Sequence, residues 1–208
     1  DKFGYPFCRG RIFDTIEKDT GQYDDTAEIF WASGAAMAVK KRHFEHLGGF
    51  DEDFEFHMEE IDFCWRTWNS GKKIYYCPDS VIYHLGGGSL PMGHPRKVRY
   101  NFRNNLIMMY KNLPLLQLMT RFPVRYLLDI VAALQNLISG KFGDFRAIVQ
   151  AHAQFWKMWP ETIRKRSQLQ SEKHISTIPV KEISVVFRYF IKQQKMYHQL
   201  FAANERKN

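Results

Sequence analysis

The pattern of apolar and polar positions is clearest over residues 58–70. Ile61, Cys64, Trp65 and Trp68 recur at i, i+3, i+4 and i+7, the spacing of one buried stripe on an α-helix. Glu59, Asp62 and Arg66 recur at i, i+3 and i+7 and predict a separate polar stripe on the same helix, which Gly71 ends. Upstream, Gly34-Ala35-Ala36-Met37-Ala38-Val39 is a small apolar run that reads as a buried strand. Residues 40–47 read as a short helix stopped by Gly48-Gly49, and residues 49–54 as a loop. Residues 73–77 and 81–84 read as two short strands around a Pro78-Asp79 turn. Gly86-Gly87-Gly88-Ser89 reads as a glycine loop and residues 98–111 as another helix. Residues 1–30 are rich in Gly, Asp and aromatics, show no sustained period, and read as irregular.

Beyond residue 113 the character changes. Val124, Leu127, Leu128, Val131, Leu134 and Ile138 predict the apolar face of a helix, with Arg125, Asp129 and Asn136 on another face. After Gly140, Ile148, Phe155, Trp156 and Trp159 mark a second amphipathic region that ends in Arg164-Lys165-Arg166. Residues 180–203 read as a last helix with Lys and Gln on its open face. The expected fold class is α/β. A unit with a short mixed sheet covers residues 1–112, and a basic, amphipathic α-helical region covers residues 113–208.

Composition refines this reading in three places. With 208 residues, 45% of them hydrophobic, the chain can bury one globular core with an appendage, or two small ones. The aromatic share of 15% suits a core and equally suits sugar-stacking surfaces. The net charge of +8 is uneven: residues 1–138 carry 17 Lys and Arg against 17 Asp and Glu, and residues 139–208 carry 13 against 5. A basic end of this kind fits an anionic membrane surface or nucleic acid. The neutral balance of residues 1–138 and the lack of a recognisable nucleic-acid motif argue against nucleic acid.

Cys8, Cys64 and Cys77 have no C-x-x-C spacing and read as reduced, mostly buried thiols of a cytosolic protein. Asp1-Lys2-Phe3-Gly4 has neither the charged nor the apolar region of a secretory leader. Residues 113–138 fall short of the roughly 20 uninterrupted apolar residues of a spanning helix, because Arg121, Pro123, Arg125 and Asp129 break them. His43, His46, His57 and His94 lack ligand spacing and read as surface or core residues, and Met108-Met109 as core. Arg96, Lys97, Arg99 and Arg103 read as a solvated helix face that is also placed to reach a diphosphate.

Glu59, Glu60 and Asp62 put three carboxylates within four residues at a helix start. Taken alone they complement the helix dipole, and an Asp62–Arg66 pair at i, i+4 adds a few tenths of a kcal/mol. Their setting suggests more, since an aromatic face lies beside them and a histidine and a triple glycine follow. Sugar transfer from a nucleotide diphosphate asks for such a set. One carboxylate takes the proton from the acceptor hydroxyl. A divalent cation, Mg or Mn, neutralises the leaving diphosphate, with an imidazole as a suitable ligand. Glycines let backbone close over phosphate.

Several runs in order and spacing carry a resemblance. They are Ser33-Gly34-Ala35, Gly48-Gly49-Phe50-Asp51-Glu52, Glu59-Glu60-Ile61-Asp62-Phe63-Cys64-Trp65-Arg66, Pro78-Asp79, and Val81-Ile82-Tyr83-His84-Leu85-Gly86-Gly87-Gly88-Ser89. Over residues 4–111 the chain resembles glycosyltransferase family 2. The resemblance implies the acceptor-side half of a GT-A fold and inversion at the anomeric carbon. It implies Glu60 as the catalytic base, where the family usually has Asp, with Glu59 as its neighbouring alternative. Asp62 and Arg66 would orient that base. His84 would ligate the metal or contact the diphosphate. Trp31, Ser33, Gly34 and Asp51, with Gly86, Gly87 and Gly88, would contact substrate.

The implied partners are a nucleotide-diphospho-sugar donor and a lipid-linked or polysaccharide acceptor. The implied location is cytoplasmic, at the inner face of the plasma membrane. There the basic tail makes a peripheral contact, with Trp156 and Trp159 at headgroup level. The family's nucleotide-binding half has no counterpart before Trp31, so the chain is expected to be a C-terminal portion with little turnover alone. Asp51-Glu52-Asp53 matches the metal-binding D-x-D literally, yet it lies in the G-G-F-D-E loop and reads as an acceptor-side feature. A reading from another class is a non-catalytic scaffold, derived from such an enzyme, that binds glycan or membrane.

Overall fold

The computed structural model describes residues 1–84, 93–171 and 179–201. The chain is α/β and mostly helical, with α1 (Lys41–His46), α2 (Glu59–Asn69), α3 (Pro95–Asn112), α4 (Leu115–Ile138), α5 (Phe142–Lys157), α6 (Trp159–Gln170) and a short α7 (Tyr197–Phe201). The strands are two residues each. β1 (Arg11–Ile12) pairs antiparallel with β2 (Thr15–Ile16), and β3 (Ala27–Glu28) pairs antiparallel with β4 (Tyr75–Tyr76) in the register Ala27↔Tyr76.

The helix α3 is the spine. Pro95 opens it, where a missing N–H costs nothing, and His94 caps it by accepting from the Arg96 amide at 3.2 Å. It packs most extensively against α5, and also against α2, α4 and α6. Leu106, Ile107, Met108 and Met109 are fully buried there, meeting Phe54, Met58, Ile61, Trp65 and Phe155. Four consecutive buried residues exceed what one helix stripe supplies, because α3 is covered on more than one side.

The expected stripe on α2 is present, as Ile61, Cys64, Trp65 and Trp68 are all buried. The second stripe is not the exposed face that its polarity suggests. Asp62 is 0% and Arg66 6% exposed, so this helix is enclosed all round from Ile61 to Asn69.

Several expectations about strands need correction. A short mixed sheet is not formed; the described residues hold two separate antiparallel pairs. Gly34-Ala35-Ala36 is a single 3₁₀ turn with no buried residue. Its small side chains offer too little apolar area to hold a strand in the core without a pairing neighbour. Residues 73–77 contribute β4, but its partner is β3, from the segment read as irregular, and not residues 81–84. Residues 81–84 are extended coil with Tyr83 99% exposed. Pairing across residues 27–28 is reinforced from the side chains, with Lys73 and Tyr75 both donating to Glu28, at 2.5 and 3.0 Å.

The two expected faces of α4 are present, and the polar one is the inner one. Arg125 and Asp129 are buried at 2% and 0% exposure, and Leu127, Val131, Leu134 and Ile138 look outward. The inner polar residues are satisfied: Arg125 bonds Asp129 at 2.8 Å, the Phe3 carbonyl and Asn105, and lies 4.1 Å from the Tyr5 ring centroid. His152 Nε2 stands 3.3 Å from Asp129 Oδ2, outside hydrogen-bonding alignment.

The last expected helix is also shorter than its pattern. Residues 187–191 form a π turn, and only Tyr197–Phe201 is helical beyond it among the described residues. Val185, Tyr189 and Leu200 close a second small core over Ile12, so this end of the chain packs on residues near the start. Of the three thiols Cys64 alone is buried, and burial holds it up at about 11; Cys8 and Cys77 are exposed.

Candidate active site

The site begins with a strained turn. His57 (φ 67°) and Met58 (φ 73°) are consecutive non-glycine residues in the left-handed region, immediately before α2. Such residues cost about 1–3 kcal/mol each and persist only where the surroundings over-determine them. Here α3 does so. Asn104 Nδ2 donates to the carbonyls of Phe56 at 2.9 Å and His57 at 2.7 Å, Arg103 donates to the Asp53 carbonyl at 2.9 Å, and the Met58 side chain is buried in the main core.

This turn delivers Glu59 and Glu60 to the first turn of α2, where the helix dipole favours negative charge. Neither carboxylate is fully committed. Glu59 Oε2, Glu60 Oε2 and His57 Nε2 are each buried without a hydrogen-bond partner among the described residues. Burial raises the Glu60 carboxyl above the ordinary glutamate value, and the Glu59 charge adds to this against the pull of the Glu60 and Ile61 amides. Burial, helped by Lys97, pushes His57 down to about 4, so its ring is neutral at pH 7. Three orphan polar groups within four residues, on a strained backbone, make this turn the candidate site.

The segment 30–34 runs beside α2 in the opposite direction. Trp68 Nε1 donates to the Phe30 carbonyl at 3.0 Å, and the Ala32 amide meets Cys64 Sγ at 3.5 Å. A Cβ built on Gly34 would lie 3.8 Å from Glu60 Cβ. Steps of two along extended chain thus match steps of four along the helix, as roughly 6.6 Å and 6.0 Å should. Gly34 is thereby brought to Glu60; the neighbouring Ser33 accepts from the Ala35 amide at 3.3 Å and caps the small turn. Trp31 is partly buried against the main core.

Asp62 and Arg66 are the struts behind the site. Asp62 accepts from Arg66 Nε at 2.8 Å, Asn112 at 2.8 Å and Lys111 at 3.2 Å. The guanidinium also donates to the Leu47 carbonyl at 2.6 Å and the Gly49 carbonyl at 2.7 Å, in a turn where Gly48 and Gly49 take φ of 74° and 69°. One ion network therefore ties α2 to α3 and to the loop after α1. Asp51 joins it through Lys111 and through Lys165 at 2.5 Å, and Lys165 also holds Asp53 at 2.5 Å. Burial alone would raise Asp51, but the two ammonium groups overcome it and hold the carboxyl at about 2.

His84 is exposed, at the end of the described stretch. Gly86, Gly87 and Gly88 lie outside the described residues. Among the described residues no group of three or more His, Cys, Asp or Glu side chains is placed to hold a metal ion. His84 supplies a single imidazole, and Asp51 and Asp53 are engaged by lysines, so the donors described here do not fit a complete metal centre.

Comparison with known proteins gives partial matches. Polypeptide N-acetylgalactosaminyltransferase 3 of Mus musculus is 29% identical over 75 residues, 36% of this chain and 12% of that protein. Rhamnosyltransferase WbbL of Escherichia coli is 34% identical over 62 residues, 30% of this chain and 23% of that protein. The chain is related to glycosyltransferases. N-acetylglucosaminyl-diphospho-decaprenol L-rhamnosyltransferase of Mycobacterium tuberculosis is 32% identical over 56 residues, 27% of this chain and 18% of that protein. The chain thus spans less than a quarter of the length of these curated relatives. No protein-family model and no solved structure matches it.

Sequence reasoning passed over three residues of this site. His57 has no motif spacing, and its role emerges only from its backbone and burial. Arg103 was expected on a solvated face but is 4% exposed and pins the strained turn, as does the fully buried Asn104. Adjacent asparagines at 104 and 105, inside a helix they disfavour, were the available signal.

Proposed function

We propose that this chain carries the acceptor side of an inverting glycosyltransferase of GT-A fold, with Glu60 as the general base. It would serve transfer of a sugar from a nucleotide-diphospho-sugar donor to a lipid-linked or polysaccharide acceptor. The observation that carries the reading is the Glu60 carboxylate, half-buried with one oxygen unpartnered, raised in pKa, and backed by Gly34. A carboxyl held above its ordinary value is a stronger base once ionised, and no protein donor competes for its Oε2. Glu59, beside it, opposes ionisation of Glu60 and so tunes that value. Asp62 and Arg66 hold the helix start in place without facing substrate themselves. Gly34, with no side chain, leaves room beside the Glu60 stem, where an acceptor would lie.

A divalent cation belongs to the same proposal, with His84 as one ligand. Peripheral membrane contact is also part of it. The outward face of α4 shows Leu116, Met119, Leu127, Val131, Leu134 and Ile138 with no exposed charge between them, and no helix among the described residues is long and apolar enough to cross a membrane.

The test is transfer by the full-length protein with and without Glu60→Gln. The expected result is loss of transfer with donor binding retained, and inverted anomeric configuration in the wild-type product by NMR. Wild-type turnover in Glu60→Gln removes the base assignment, and a retained configuration removes the mechanism.

A further inference from the structure

A cleft of about 270 Å³ lies where α3 and α5 begin, and the chemistry above does not use it. Its lining includes Pro95, Arg96, Arg99, Gly143, Arg146 and Gln150. Three guanidinium groups converge on it with no carboxylate in the wall. Arg96 is partly neutralised, donating to Tyr100 Oη at 3.2 Å, which in turn donates to Glu55 at 2.6 Å. The other two are not. Arg99 lies 5.4 Å from the Tyr100 ring centroid and keeps its buried Nε without a partner, and Arg146 is exposed with no ion pair among the described residues.

Like charges gathered without a counterion repel one another, and an anion in the cleft relieves that. The first turns of two long helices add the same sign of field, which Asp144 in the first turn of α5 offsets in part. A Cβ on Gly143 would stand 3.2 Å from Pro95 Cγ, so a glycine there lets the two helix starts close on each other. The chain that leads into Gly143 is mostly apolar and exposed, with Lys141 as its one charge. Ile138 is 87% and Phe142 65% exposed, just before Gly143 in sequence, and Ile138 ends the uncharged ridge of α4.

We propose that this cleft binds the phosphate or diphosphate group of an amphiphile, whose apolar part lies on the α4 ridge. Arg99 and Arg146 would hold the phosphate oxygens by charge-assisted hydrogen bonds from their guanidinium groups. The phosphate can be a headgroup in a bilayer or the diphosphate of a single lipid-linked molecule. The assignment goes beyond the transfer reading and does not depend on Glu60.

The experiment compares wild type, Arg99→Gln/Arg146→Gln, the single Arg146→Gln at an exposed position, and a charge-matched control at exposed lysines away from the basic region, Lys18→Gln/Lys72→Gln. Folding of each is checked by circular dichroism. Inorganic pyrophosphate is titrated by calorimetry, and flotation is measured on phosphatidylcholine vesicles with and without phosphatidic acid. Pyrophosphate affinity should fall roughly tenfold for each guanidinium removed. The phosphatidic acid-dependent partition should fall about thirty-fold in the double variant, about fivefold for each charge. The control should lose much less in both assays. Release of the protein from phosphatidic-acid vesicles by pyrophosphate identifies a bilayer headgroup as occupant. Pyrophosphate binding with no added partition onto phosphatidic acid identifies a single phosphorylated molecule. A wild type that responds to neither probe, or a cleft variant indistinguishable from the control, overturns the proposal.

Discussion

Asp62→Asn is the perturbation that separates a surface ion pair from a strut. Read as an exposed i, i+4 pair, Asp62 and Arg66 are worth about 0.3–0.5 kcal/mol. In the structure Asp62 is 0% exposed and faces two cations, Arg66 at 2.8 Å and Lys111 at 3.1 Å, themselves 6% and 2% exposed. Removing one partner from a buried pair costs about 3–5 kcal/mol, because a charge is left without compensation. Some compensation survives here: Arg66 keeps the Leu47 and Gly49 carbonyls, and Lys111 keeps Asp51. The low end, about 3 kcal/mol, is therefore expected, and for a chain of this size it corresponds to a fall of about 6–12 °C in Tm. Urea denaturation of wild type and variant, with calorimetry for Tm, measures it. A change below about 1 kcal/mol would refute the claim that this network holds α2 to α3. The exposed pair Lys41–Glu45, 3.7 Å apart, is the internal comparison, and Glu45→Gln should leave stability within about 0.5 kcal/mol.

Three further outcomes follow from the same geometry. Because burial raises the Glu60 carboxyl, its proton is bound more tightly in the fold; its stabilising effect is complete below the unfolded value near 4.3 and is lost as pH rises through the folded value. Glu60→Gln should therefore be at least as stable as wild type at pH 7 in the same urea titration, and a clear loss would contradict this. His57 runs the other way. With its folded value at about 4 and an unfolded value near 6.5, the stability it contributes is present above pH 6.5 and declines toward pH 4, by at most about 2 kcal/mol once solvent screening of a partly exposed ring is allowed. His57→Gln should flatten that slope between pH 6.5 and 4. Finally, Leu127→Asp with Val131→Asp, at positions 59% and 53% exposed, should shift stability by no more than about 0.5 kcal/mol per site. It should also lower vesicle partition at least about tenfold; unchanged partition would remove α4 as the contact face.

Helices were legible because their patterns are long enough to average out tertiary effects. The α2 stripe and the interior of α3 appear in the structure where the spacing put them. The strands were not legible, since two-residue pairings such as Ala27↔Tyr76 leave no alternation to detect and are decided by which segment lies alongside. The direction of α4 was not legible for a related reason. Periodicity says that a helix has two faces but not which one is buried, and Arg125 with Asp129 turned inward because Asn105 and Tyr5 offered them partners. At the site, the carboxylate cluster was visible in sequence. The strained turn that aims it was not, because positive φ at His57 and Met58 is imposed by Asn104, some 47 residues away.

Glu60 is the proposed proton acceptor in sugar transfer. Its most direct test is single-turnover transfer by wild type, Glu60→Gln and Glu59→Gln in the full-length protein, with donor binding measured in parallel. Glu60→Gln should lose roughly 10²–10⁴-fold in rate with donor affinity unchanged, and Glu59→Gln less than about tenfold. Turnover of Glu60→Gln at the wild-type rate, or a collapse confined to Glu59→Gln, would contradict it.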